Sequence, residues 1–417
     1  MILAIDLGST SFKAAVFDHR LRPVAGGSGL LKYEFDSQGG ATLAPRSVHA
    51  ALREALAEAR VSEHPVRSVA ITSQAQTFAL LDARGRPQTP FFSWLDTRSR
   101  RACESLRKAL PGFRQHCSFP EPEPGLQVCQ LRRLRPPRLL SPALLPTWLL
   151  RLWTGSFATD ANLAAMSGLY SLKHERWWDD ALDACRLRPA RLPEVLPVGT
   201  VAGLTNRGAH RSGLPAGLPV VLAGNDQTAG AFAAGIEQTG AVLLTLGTAM
   251  VACACRTAMP RARAGCVRGP YPDGRFYRLA VAAGGGSVVN WGETVLAGCA
   301  TDEEFFRQAA SSPPDCNGLV FEPHLDAARG AWRNVGLHHA PADFARSMLE
   351  ALTAQFAATI RKTGIAPAAA PLLVAGGGSR QPFWVGLLAR ALDRPLRATR
   401  ASPLRGAARM ARALQSA

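Results

Sequence analysis

Asp6-Leu7-Gly8-Ser9-Thr10-Ser11-Phe12-Lys13 joins two apolar runs by a turn of small and hydroxylated residues. Such a turn gathers backbone N–H groups and hydroxyls into a concave nest that suits phosphate oxygens. Asp6, at the end of a run, is placed to hold Mg²⁺ through water, the way that ion prefers to bind. Lys13 adds a point charge. An ordinary hairpin with no ligand is the competing reading. A second apolar–turn–apolar unit recurs at 241–255, with Gly247-Thr248 as its turn. Two such hairpins facing each other across a cleft would clamp a polyphosphate from both sides.

Two glycine clusters add to this set. Gly376-Gly377-Gly378-Ser379 follows a strand-like run and precedes a helical one; Gly284-Gly285-Gly286-Ser287 also precedes a helix. Glycines there let a flat ring or a ribose approach the backbone closely. A tight turn without a ligand is the alternative. Asp226 stands in Gly224-Asn225-Asp226-Gln227, just after a buried strand. A carboxylate so placed, facing a cleft, is where a base for a substrate hydroxyl belongs. It also suits a helix N-cap, and the two roles are compatible. Gln227 can donate to and accept from hydroxyls. Gln74-Ala75-Gln76-Thr77 and Trp94-Leu95-Asp96-Thr97-Arg98 supply amides, a carboxylate and an indole, the kit for a polyhydroxyl ligand. Core packing of Trp94 and a structural Asp96–Arg98 ion pair are the alternatives.

The elements that must carry these residues follow from pattern. Residues 1–5 and 12–18 read as strands around the turn at 6–11. The 3.6-residue spacing predicts a helix over 48–59. Strands follow at 66–73 and 77–82, a turn at 83–87, and helices at 98–109 and 144–154. The Pro- and Arg-rich stretch 112–142 takes no regular structure in this reading, and 187–218 is irregular too. The run 218–223 reads as a buried strand, and 228–235 as a helix. Strands at 241–246 and 250–255, a helix at 288–297, a strand at 371–375 and a helix at 382–392 complete the chain. Two similar hairpins, one per half, predict a duplicated architecture with a junction near residue 223.

Composition narrows the class. The chain has 417 residues, enough for two or three domains. Apolar residues make up 47% and charged residues 19%, which excludes disorder as the overall state. The formal charge of +17 would attract any polyanion, but no nucleic-acid motif accompanies it, and scattered arginine reads as compositional bias. Nine cysteines without a CxxC pair exclude a zinc ribbon or a disulfide framework. The opening residues are no signal peptide, and no apolar run is long enough to cross a membrane. A cytoplasmic protein with reduced thiols is expected.

Taken in order, these motifs resemble the FGGY family of carbohydrate kinases. The stretches Leu152-Trp153-Thr154-Gly155, Thr159-Asp160, Ala164-Ala165 and Leu192-Pro193-Glu194-Val195 resemble family segments as well. The resemblance implies an α/β fold of two actin-like (ribonuclease H-like) ATPase domains, 1–222 and 223–417, with a catalytic cleft between them. It implies ATP at Gly8, Ser9, Thr10, Ser11, Lys13, Gly247, Thr248, Gly285, Gly377, Gly378 and Ser379, with Mg²⁺ at Asp6. A sugar or polyol is implied at Gln74, Gln76, Thr77, Trp94, Asp96, Asp226 and Gln227, with Asp226 as the catalytic base. A homodimer fits, and no specific nucleic acid or membrane partner is expected. The Trp94–Arg98 pattern favours a ketopentose such as xylulose or ribulose. Glycerol, another polyol, a sugar acid such as gluconate, or a non-catalytic regulator of the same fold are the alternatives. The chain departs from the family by a shortened segment between Gly336 and Pro341. An acidic residue is missing where Ala328 stands, and a glutamate is missing around Ser402-Pro403.

Overall fold

The N-terminal hairpin forms as its apolar runs require. Strand β1 (Ile2–Leu7) pairs antiparallel with β2 (Ser11–Phe17), and Asp6 lies opposite Lys13. In the computed structural model, which describes residues 1–282, 284–296, 299, 301–324 and 329–414, this hairpin seeds a six-stranded sheet. Strand β3 (Pro23–Leu30) pairs with β2, β4 (Ser68–Ser73) runs parallel to β1, and β6 (Pro219–Asn225) runs parallel to β4. Strand β5 (Val201–Leu204) closes the edge, giving the order β5-β6-β4-β1-β2-β3. All residues of β1 and β4 are buried, as befits strands with both faces covered. Helix α1 (Pro45–Glu58) covers one face with Val48, Ala51, Leu52, Ala55 and Leu56, a single stripe at helical spacing.

The second sheet repeats the plan. Strand β7 (Val242–Leu246) pairs antiparallel with β8 (Met250–Arg256), and β8 with β10 (Phe276–Ala282). Strand β11 (Leu372–Ala375) runs parallel to β7 and β12 (Arg397–Ala398) parallel to β11, while β9 (Cys266–Pro270) is added outside β10. Each sheet therefore has a central hairpin, a third antiparallel strand on one side and two parallel strands on the other. The duplication expected from two hairpins is present in the topology.

Several expectations need correction. The stretch 112–142 contains a helix, α2 (Gln127–Leu134), and a short turn of helix at Phe113–His116. The stretch 187–218 contains Glu194–Leu196, β5 and the turn of helix Arg207–His210. The helix expected over 288–297 spans Gly286–Trp291 and continues as a wider turn through Gly292–Leu296; Ala297 lies outside the described residues. So do Ala327 and Ala328. The expected junction at 222/223 falls inside β6, which pairs with β4 as far as Asn225.

The last helix, α4 (Pro403–Ala413), also crosses that division. It packs on β1, β4 and α3 (Asp226–Ala233). One core joins Ile2, Ala4, Ala70 and Val221 of the first sheet to Leu243 and Cys253 of the second, and Ala407, Ala408 and Met410 of α4 belong to it. Helices α3 and α4 touch backbone to backbone at Gly406, where a Cβ would stand 1.8 Å from the Ala229 carbonyl oxygen. Backbone cannot step aside, so Gly406→Val is expected to destabilise by about 2 kcal/mol or more. Urea titration checks this, and a loss within error of zero would refute the contact.

Candidate active site

Asp226 is the first residue of α3, directly beyond the end of β6. The N-cap is Asn225, whose side chain accepts from the Gln227 N–H at 3.0 Å. Asp226 Oδ1 accepts from the same N–H at 2.8 Å. Asn225 is itself fixed: its N–H donates to Asn162 Oδ1 at 3.0 Å, and Asn162 Nδ2 donates to the Pro270 carbonyl at 2.8 Å. Asn162 thus ties the end of β6 to β9 in the other sheet.

Asp6 is buried beside Asp226, and its Oδ1 has no hydrogen-bond partner. Burial first, then the Asp226 charge, pushes the Asp6 carboxyl up to about 8 against the pull of Lys13. Burial also raises Asp226, to about 6, opposed by its bonds to Gln227 and Asn225. A carboxyl whose folded pKa exceeds the unfolded one stabilises the native state only while protonated. That contribution is complete below about pH 4 and is lost as pH rises through about 6 and about 8. The melting temperature of the ligand-free protein should therefore decline from about pH 5 to about pH 8.5, and Asp6→Asn should flatten that decline. Superimposable melting series for the two proteins would refute this.

The glycine turns converge at the end of β7. The Gly286 N–H donates to the Gly247 carbonyl at 2.7 Å, and Ser287 Oγ donates to the Thr248 carbonyl at 3.1 Å, so the turn containing Gly285 packs on the Gly247-Thr248 turn. Gly376 adopts φ 92°, and a Cβ there would stand 2.5 Å from the Leu246 carbonyl oxygen, so this turn requires glycine. Gly378 faces the Trp384 ring, which is buried and donates from Nε1 to Thr353 Oγ1 at 3.1 Å. A cavity of about 780 Å³ opens between these turns and α3. Lys13, Asp226, Gln227, Gly376, Gly377 and Ser379 line it. On the opposing hairpin the Gly8–Ser9–Thr10 turn leads into Ser11, with Thr10 exposed. Thr248 is likewise exposed.

The expected sugar-side residues divide. Gln74 is buried, donates from Nε2 to the Gly8 carbonyl at 3.1 Å and leaves Oε1 without a partner. Thr77 Oγ1 is likewise buried and unbonded. Gln76 differs from expectation: Nε2 donates to the Met166 carbonyl at 2.6 Å, and Oε1 accepts from the Gln127 N–H at 3.1 Å. Its amide ties the start of α2 to the end of the short helix Ala161–Met166. Asp96 is fully buried in an ion pair with Arg98, which also reaches Asp36 at 2.8 Å. The structural reading holds for that pair. Trp94 is 38% exposed and is not a core residue.

Sequence reasoning missed Tyr33. Its hydroxyl donates to the Ser9 carbonyl at 2.8 Å and lies against the side chains of Ser93 and Gln74. It links the phosphate-type turn to the amide side of the cleft. Tyr33 sits in the three-residue strand Tyr33–Phe35, which carries no motif. Asn162 was missed although it lies between Thr159-Asp160 and Ala164-Ala165, because its partners Asn225 and Pro270 are distant in the chain.

The model of the FGGY family of carbohydrate kinases, N-terminal domain, matches residues 1–118 and 141–233, and that of its C-terminal domain matches residues 242–414. A glycerol kinase of Leptothrix cholodnii is 28% identical, covering 87% of this chain and 78% of its own. The L-fuculokinase of Salmonella typhi is 27% identical over 95% and 88%, and the xylulose kinase of Escherichia coli 26% over 78% and 70%. Among solved structures, gluconate kinase from Lactobacillus acidophilus superposes with a TM-score of 0.86 at 18% identity, covering 100% of this chain and 89% of that one. Xylulose kinase from Rhodospirillum rubrum gives 0.84 at 24%, covering 100% and 90%. The fold is the two-domain, actin-like α/β architecture expected.

Proposed function

Because the chain belongs to the FGGY family of carbohydrate kinases, phosphotransferases acting on a sugar hydroxyl, we propose that it transfers the γ-phosphate of ATP to a primary hydroxyl of a ketopentose such as xylulose or ribulose. The observation that carries the reading is Asp226, half-buried on the wall of a cavity that Lys13 and the glycine turn at 376–379 also line, with buried Asp6 beside it. Asp226 takes the proton of the attacking hydroxyl. A carboxyl held near 6 is ionised at neutral pH and remains basic enough to accept that proton. Asn225 and Gln227 fix its direction, and Gln227 with Gln74 and Trp94 orients the acceptor's hydroxyls. The turns at 8–11 and 247–248 offer N–H groups to phosphate, and the turn at 376–379 lies on the nucleoside side.

The donor set suits Mg²⁺. Asp6 offers a buried carboxylate oxygen with no other partner. Mg²⁺ takes one or two carboxylates and keeps several waters, so a larger acidic cluster is unnecessary, and none exists among the described residues. Held by Asp6 together with ATP, the ion would supply neutralisation of charge on the transferring phosphate. Positioning is the rest of the protein's contribution.

A coupled assay of ADP release across ketoses, polyols and sugar acids tests the reading. Turnover strongest with xylulose or ribulose supports it. Turnover strongest with glycerol or gluconate keeps the kinase and replaces the acceptor. ATP binding without turnover on any of them would favour a regulatory role.

A further inference from the structure

One side-chain amide holds the strand end that leads into Asp226. Asn162 lies in the short helix Ala161–Met166 and has no exposed surface. Its Oδ1 accepts from the Asn225 N–H at 3.0 Å. Its Nδ2 donates to the Pro270 carbonyl at 2.8 Å and to Thr228 Oγ1 at 3.3 Å. A backbone N–H on one side and a carbonyl on the other call for an acceptor and a donor in one planar group, which an amide supplies. The chain is fitted around it. Gly224 adopts φ 71°, and a Cβ there would stand 3.3 Å from Asn162 Cγ. The Thr228 hydroxyl donates in turn to the Asn225 carbonyl at 2.8 Å, so both polar groups of the Asn225 backbone are tied to this cluster. Asn225 ends β6 of the first sheet, whereas Pro270 ends β9 of the second. A second contact between the halves serves as a comparison. Arg268 of β9 is buried, and its Nη2 donates to the Arg114 and Gln115 carbonyls at 2.9 and 3.3 Å. Neither partner belongs to β6 or α3.

We propose that Asn162 is a positioning residue for the transfer step: it carries the seat of β9 to the Asn225 backbone and so aims the Asp226 carboxylate at the attacking hydroxyl. The proposal rests on the reading of Asp226 as the base. Asp226 follows Asn225 directly, so a displaced Asn225 swings the carboxylate with it. A misplacement of about 1 Å can cost about 10²-fold in rate. Asn162 does not line the cavity, so binding of ATP and acceptor is spared.

A double-mutant cycle on the full chain provides the test. It compares kcat and acceptor KM of the wild type, Asn162→Ala, Asp226→Asn and the double variant, with kcat counted per ATP site found by calorimetric titration. Asn162→Ala is expected to lower kcat about 30–100-fold, with acceptor KM and ATP affinity within about threefold of wild type. On the Asp226→Asn background the same change should cost less than about threefold, because the carboxylate it aims is gone. Arg268→Met, which loosens the halves elsewhere, should lower the melting temperature and leave kcat within about threefold. Asn162→Ser, which keeps a polar group in place, substitutes for Asn162→Ala if the latter folds poorly. Wild-type kcat in the Asn162 variant, equal losses on both backgrounds, or an equal kcat loss in Arg268→Met would each overturn the positioning role and leave the kinase reading standing. Wild-type kcat in Asp226→Asn removes the base and this proposal with it, and no turnover by the wild-type chain on any acceptor overturns the kinase reading as well.

Discussion

Asp226→Asn is expected to lower kcat by about 10²–10⁴-fold, the usual contribution of a general base, while the melting temperature holds or rises. The two effects share one cause. Burial raises the Asp226 carboxyl because its charge is poorly solvated beside Asp6. Asparagine keeps an Oδ1 that can accept from the Gln227 N–H and removes the poorly solvated charge. What is lost is the basic oxygen that takes the proton. Activity and stability should therefore move in opposite directions, as at other sites that trade stability for function. Steady-state kinetics and thermal melts on one preparation check this. An Asn variant that keeps wild-type kcat would remove Asp226 from the role of base.

The second large effect is structural. Arg98→Ala leaves Asp96, which has no exposed surface, without its cation. Breaking a buried pair from one side costs about 3–5 kcal/mol, a large share of the roughly 5–15 kcal/mol that holds a domain together. The residue-98 backbone N–H at 3.0 Å, which alanine keeps, and the Ala41 N–H at 3.5 Å would remain near the carboxylate without replacing the lost cation. Removing both partners, as Arg98→Met with Asp96→Leu, should recover much of the loss. Urea denaturation decides: a single-variant loss under about 1 kcal/mol would show that the pair is solvated after all.

The parts legible in the sequence were those whose signal is local. Both hairpins announced themselves because Ile2–Leu7 and Val242–Leu246 are apolar runs cut by turns of small residues. The glycine turn at 376–379 was legible because its φ and the nearness of Leu246 leave no room for a side chain. Helix α2 was not legible, because its buried face includes Gln127 and Gln130, and its N-cap Leu126 makes no side-chain bond. Gln130 belongs inside only because Nε2 reaches the Ser93 carbonyl, 37 residues away. Gln76 shows the same limit from the other side. Its type suited a sugar, but its partners Gln127 and Met166 lie 51 and 90 residues further along. Tyr33 acts through a bond to Ser9, and Asn162 through bonds to Asn225 and Pro270, long-range contacts that no spacing rule encodes. The junction near 223 was placed by symmetry of the halves, whereas backbone pairing carries β6 on to Asn225.

Helix α4 lies across the first sheet, and its Ala407, Ala408 and Met410 complete the core that begins at Ile2 and Ala4. During synthesis, strand β1 emerges from the ribosome roughly 400 residues before the helix that covers it does. Until then the face of β1 and β4 that α4 will cover stays open, an apolar surface suited to chaperones or to wrong partners. Contacts spanning nearly the whole chain also make the final docking slow relative to local hairpin formation. The two halves resemble each other in plan, yet the first is completed only by a helix from the end of the second. The first nascent strand waits for the last helix.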